Sequence, residues 1–94
     1  MELSDHSILI IDAKNSPFIV RLQAAIEQAG GDSIVVRSSG DAKERVKQFN
    51  FSAAASNVEH RAVVEKLGIP YVLCLPAEPP GAVVAMLVRR LAGR

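Results

Sequence analysis

The sequence predicts a small α/β domain, in which a parallel sheet carries helices on both faces. Three observations point there. Short apolar runs, three of them rich in Val, Ile or Leu and one in Ala, alternate with longer segments of helical period, four times over. The connections between them are short, and glycines punctuate the ends of the helical segments. The first run, Ile8, Leu9, Ile10 and Ile11, is apolar at every position, as expected of a strand buried on both sides. Such alternation implies right-handed crossovers between parallel strands.

Each element has a local reason. The first strand stops at Asp12. Ser16 is a suitable N-cap and Pro17 a suitable first helical residue for a helix over residues 17–29. On it Phe18, Leu22, Ala25, Ile26 and Ala29 share one face, and Gly30 with Gly31 closes it. Ile34, Val35 and Val36 form a second strand. Ser38, with Asp41 three residues on, resembles a capping box in which Asp replaces the usual Glu, and Ala42, Val46 and Phe49 mark the buried stripe of a second helix. A third strand over residues 51–56 is built mostly from Ser and Ala. These are weak strand formers, which make sense where helices approach the sheet closely. Asn57 is placed to cap a helix over residues 58–67, which Gly68 ends. A fourth strand over residues 69–75 holds Pro70 near its start, where a missing donor matters least. A last helix runs to about Leu91, with Val84, Leu87, Val88 and Leu91 on one side and Arg89 and Arg90 complementing its dipole.

Ninety-four residues make one domain, taken as residues 1–94. A chain of this size buries roughly 60–65% of its unfolded surface, so its stability margin is thin. Phe18, Phe49, Phe51 and Tyr71 are the aromatics, which leaves the core to Val, Ile, Leu and Ala. A net charge of +1 gives no long-range field for nucleic acid or anionic lipid, so neither is an expected partner. Cys74 stands alone, which fits a reducing compartment. The acids at Glu2 and Asp5, with the shortness of the apolar run that follows, speak against a leader or a membrane span, and the cytoplasm is the expected location.

The run from Ile8 to Asp12 and Ala13 resembles the first strand of the receiver domains of bacterial two-component signalling, where a pair of acids normally follows. The helix from Pro17 to Gly30 is similar to their first helix. The stretch Phe51 to Asn57 resembles their third strand, whose last residue is normally the phosphoacceptor Asp. Pro70, Tyr71, Val72, Leu73, Cys74, Leu75 and Pro76 look like the fifth receiver strand and its Lys-Pro step. Equally, Gly68 to Val72 could be the fourth, which ends in Ser or Thr. The resemblance implies a receiver- or flavodoxin-like sheet of about four strands in the order 2-1-3-4, shortened by one strand–helix unit.

Receivers transfer a phosphoryl group to their own Asp. Mg²⁺ on the acids organises the site, while a Lys and a hydroxyl stabilise the developing charge. On that alignment Asp12 keeps one acid, Ala13 replaces the other and Asn57 replaces the acceptor. A carboxamide cannot form an acyl phosphate. Leu75 falls where either the Lys or the hydroxyl residue would be. The expectation is a vestigial pocket with no catalytic residue, no metal and no cofactor. The chain is then a non-phosphorylatable pseudo-receiver, not an enzyme, acting through protein partners in signal transduction. The alternative is a small-molecule or anion sensor at the C-terminal edge of the sheet, using Asp12, Ala13, Lys14 and Asn57. In the plain structural reading Asp12 and Asn57 are caps, His60 is a helix-surface residue, and Lys43, Arg45 and Lys47 form a solvated face. No phosphate loop, dinucleotide turn or nucleophile elbow is present in the sequence.

One further expectation concerns assembly. The order 2-1-3-4 leaves the fourth strand at an edge, apolar and without charges of its own to protect it. The last helix is apolar from Ala82 to Val88 without a break. A homodimer through Tyr71, Leu73, Leu75, Val83, Met86 and Leu87 would cover both features, unless the N-terminal lead packs over that edge instead.

Overall fold

A computed structural model describes residues 2–12, 17–57, 60–74 and 78–92. Among these, strands and helices alternate as β1 (Ser7–Ile11), α1 (Pro17–Gln28), β2 (Asp32–Val36), α2 (Ser39–Gln48), β3 (Ala53–Asn57), α3 (Arg61–Glu65), β4 (Tyr71–Cys74) and α4 (Pro80–Ala92). The strands form one sheet in the order β2-β1-β3-β4, every pair parallel. The three-layer α/β arrangement and the strand order are those expected from the sequence.

Side chains alternate across the sheet with the period of two that a strand imposes. Ile8, Ile10, Ala53, Ala55 and Val72 enter one core with Ile19, Leu22 and Ile26 of α1 and Val83, Val84 and Leu87 of α4. Leu9, Ile11, Val36 and Ala54 enter the other with Ala42 of α2, Val64 of α3 and Phe51. The alanines of β3 explain the weak strand composition. Ala53, Ala54 and Ala55 are all buried in the middle of the sheet, where small side chains let α1 and α4 on one face and α2 and α3 on the other come close.

The helix ends follow their local chemistry. Gly30 takes a φ of 92°, and Gly31 N–H donates to the Ile26 carbonyl at 3.0 Å, closing α1 through glycine in the left-handed region. Gly68, with φ 75°, turns the chain after α3. Ser38 Oγ accepts from the Asp41 backbone N–H at 3.1 Å, so the N-cap of α2 forms as its sequence implies. Ser38→Ala should therefore cost about 1 kcal/mol, read as a lower urea midpoint with an unchanged slope. A midpoint equal to that of the parent would show that the cap carries no weight.

Several boundaries differ from the sequence reading. β3 begins at Ala53, because Phe51 turns its ring into the α2/α3 core before the strand starts. α3 is a short helix with the half-buried His60 at its N-cap, rather than a helix opening at Asn57; Asn57 belongs to β3, in register with Cys74. β4 starts at Tyr71, since Pro70 has no N–H for the ladder and contributes only its carbonyl, to the Ala54 N–H at 2.9 Å.

The N-terminal lead does not cover the β4 edge. Leu3 is fully buried in the α1/α4 core, and its N–H donates to the Ala29 carbonyl at 2.8 Å, at the far end of α1. His6 closes the same end of the sheet. Its carbonyl accepts from the Asp32 N–H at 3.1 Å, and its Nδ1 is hydrogen-bonded to Ser52 Oγ at 2.7 Å. The lead is thus part of the core, and β4 is the last strand at its end of the described sheet.

Candidate functional site

The C-terminal edge of a parallel sheet is where α/β folds hold their ligands, because strand ends and helix starts converge there. β1 and β3 are neighbours, with Ile11 opposite Ser56. Asp12 follows Ile11 and continues the ladder, its N–H donating to the Val36 carbonyl at 3.0 Å. Asp12 and Asn57 therefore stand at the same level on adjacent strands, which run ~4.8 Å apart. Cys74 is paired with Asn57 on the other side. The fold brings Asp12 and Asn57 together, as the sequence reading required, and each is engaged by neighbouring groups of the chain. Ala13, Lys14 and Leu75 lie outside the described residues.

Ser56, expected as the last residue of the third strand, has a specific packing role. It is the buried polar residue of the described core, and its hydroxyl donates to the Asn57 carbonyl at 2.9 Å. Ser56 faces the α2/α3 side, in phase with Ala54, so Asn57 faces the α1/α4 side. The hydroxyl next to Asn57 in sequence is thus on the opposite face of the sheet and already committed. Strand alternation alone was enough to indicate the face, but not the hydrogen bond.

A second group of polar residues assembles at the edge of β4. Arg61 and Glu65, one turn apart on α3, form an ion pair with Nε to Oε1 at 2.9 Å, and Tyr71 donates its hydroxyl to the same Oε1 at 3.3 Å. The hydrogen bond from Arg61 holds the Glu65 carboxyl below its ordinary value, and the same contact raises Arg61. From α4, the Arg90 guanidinium lies 6.0 Å from the centre of the Tyr71 ring. Tyr71, Val72, Met86, Arg89 and Arg90 line an open groove between β4 and α4.

This arrangement corrects two of the assembly expectations. Val83 and Leu87 are fully buried beneath α4 and cannot face a second copy. α1 packs beside α4 and helps to cover the apolar helix within the monomer, which a lone sheet contact would not. Tyr71, Leu73 and Met86 are half-buried, and Leu75 is outside the described residues. The edge is also not bare of charge, because α3 and α4 supply what β4 lacks. Elsewhere Lys43, Arg45 and Lys47 are exposed along α2 as expected. No group of three His, Cys, Asp or Glu side chains that could hold a metal is found among the described residues. None of the described helices is long and apolar enough to cross a membrane.

No family model matches the chain, and no curated protein matches it by sequence. Among solved structures it is similar to the crystal structure of HP1043, an orphan response regulator of H. pylori, with a TM-score of 0.68. The identity is 16%, and the match covers 94% of this chain and 98% of that one. The chain therefore has an α/β fold of the receiver type.

Proposed function

We propose that this chain is a shortened, non-phosphorylatable pseudo-receiver that works in bacterial signal transduction by contacting protein partners. The observation that carries the reading is Asn57. It is the last residue of β3, at the C-terminal edge and level with Asp12, where a receiver of this strand order would present its acceptor Asp. The carboxamide there has no carboxylate oxygen to attack phosphorus and form an acyl phosphate. Ser56 is no substitute, being buried and bonded to the Asn57 carbonyl. With Ala13 in place of the second acid and Leu75 in place of either the Lys or the hydroxyl residue, the Mg²⁺ site is incomplete and a charge-stabilising group is missing. A domain that keeps its fold without this chemistry retains its surfaces as its means of action.

Incubation with acetyl phosphate and Mg²⁺, followed by intact-mass spectrometry at neutral pH, tests this directly. The expected result is no phosphoryl adduct, while a conventional receiver treated in parallel is labelled. Asn57→Asp alone should remain unlabelled, because the second acid and the Lys or hydroxyl that Leu75 replaces are still missing. A stable adduct on the unaltered chain would overturn the reading.

The placement of Asp12 beside Asn57 also fits the second reading, a small-molecule or anion sensor at this edge, in which the positive charge for an anion would come from Lys14. A thermal-shift screen with nucleotides and inorganic phosphate separates the two. A ligand at a hundred times its dissociation constant stabilises by about 2.7 kcal/mol, which a domain this small shows as a clear rise in midpoint.

A further inference from the structure

We infer that the outer edge of β4 receives an extended acidic segment of a partner protein as an added strand. This rests on the protein-contact reading above and gives that contact a place and a chemistry.

The first support is the backbone. The Ala54 N–H donates to the Pro70 carbonyl at 2.9 Å, with Ala54 in register with Tyr71. In a parallel ladder of that phase, Val72 and Cys74 bond toward β3, while the N–H and C=O of Tyr71 and Leu73 point outward. β4 ends the strand order, so these groups have no ladder partner among the described residues, and the Arg90 guanidinium flanks them at Tyr71.

The second support is charge. Arg89 and Arg90 are exposed beside this edge, and no carboxylate of the described chain is paired with either. Glu65 is already held by Arg61. Charges beside an edge strand discourage indiscriminate pairing, and here their sign selects the occupant. A second copy docked edge to edge would set its own Arg89 and Arg90 against these, because a two-fold interface presents the same patch from both sides. An acidic strand meets no such repulsion.

The third support is the alternation of side chains. Leu73 faces the α3 side of the sheet, Val72 faces the α4 side, and Tyr71 borders both, packed against the α3 core while its ring lines the groove with Met86, Arg89 and Arg90. An added strand would put alternate side chains on these two surfaces. Carboxylates suit the α4 side and β-branched residues the α3 side. The preferred segment therefore alternates Glu or Asp with Val or Ile.

The test is fluorescence anisotropy of the full chain with a labelled peptide in which Glu alternates with Val. Three comparisons accompany it: a Lys-for-Glu peptide, a peptide N-methylated at the amides that would face β4, and the chain carrying Arg89→Gln with Arg90→Gln. Saturable binding of the Glu peptide is expected, with none of the Lys or N-methylated peptides. The double variant, checked by circular dichroism to be folded, should bind about tenfold more weakly, as loss of two surface charge contacts implies. Equal binding of the N-methylated peptide would reduce the effect to charge attraction and overturn strand addition. So would absence of binding, or equal binding of the Lys peptide. A dimer in light scattering that Leu73→Lys dissolves would put a second copy on the edge instead. Phosphoryl uptake in the separate mass experiment would sink the pseudo-receiver reading without altering any of these outcomes.

Discussion

Leu3→Ala is expected to lower the thermal midpoint by roughly 10–30 °C, an effect large for a residue so near the N-terminus. Leu3 is fully buried between α1 and the sheet, and it sits tightly there: a Cβ added at Gly31 would come within 3.0 Å of the Leu3 Cβ and 3.2 Å of Ile26 Cγ2. Its backbone N–H also ties the lead to Ala29. Truncating a buried leucine costs about 2–5 kcal/mol, through lost apolar burial and the cavity left behind. A domain of this size has a total stability of only about 5–14 kcal/mol. Melting followed by circular dichroism, with Met1 and Glu2 kept in place, reads the change. A midpoint within about 2 °C of the parent would mean that the lead is dispensable, as an ordinary frayed terminus is.

Ala54→Leu should destabilise by about 3 kcal/mol, through overpacking rather than loss of contact. Ala54 lies on a central strand, buried between Leu9 and Ile11 on the sheet and Val64 of α3. There is no solvent-facing direction into which a larger side chain could swing, so a helix must move or a rotamer must strain. The same substitution at Ala62, exposed on α3, should stay within about 0.5 kcal/mol of the parent. Urea unfolding of the two variants side by side decides the matter. Equal midpoints would show that the small residues of β3 are not what sets the helix-to-sheet distance.

Most of the architecture was legible because it is written in short-range patterns. The all-apolar run at Ile8, the stripe through Leu22 and Ile26, the Ser38 cap and the turns at Gly30 and Gly68 are each decided within a few residues. They appear in the structure as the pattern implies. The positions of Asp12 and Asn57 were also legible, since a parallel order 2-1-3-4 puts the ends of β1 and β3 side by side. The less accurate boundaries lie where tertiary contact outweighs local preference. Phe51 reads as strand by propensity but is drawn into the α2/α3 core, and α3 is shorter than its apolar spacing suggests.

The sequence by itself determined the alternation of elements, the small-residue strand and the carboxamide at position 57. Each depends only on residue identity and on spacings of two to four positions. Tertiary structure alone decided three other matters. It took Leu3 from an unremarkable lead into the core, it buried Val83 and Leu87 where α1 meets α4, and it brought Arg89 and Arg90 to the flank of a strand that carries no charge of its own. All three join segments far apart in the chain. Local periodicity shows that a face is apolar or basic, but which other face it meets depends on how the whole sheet and its helices close upon one another.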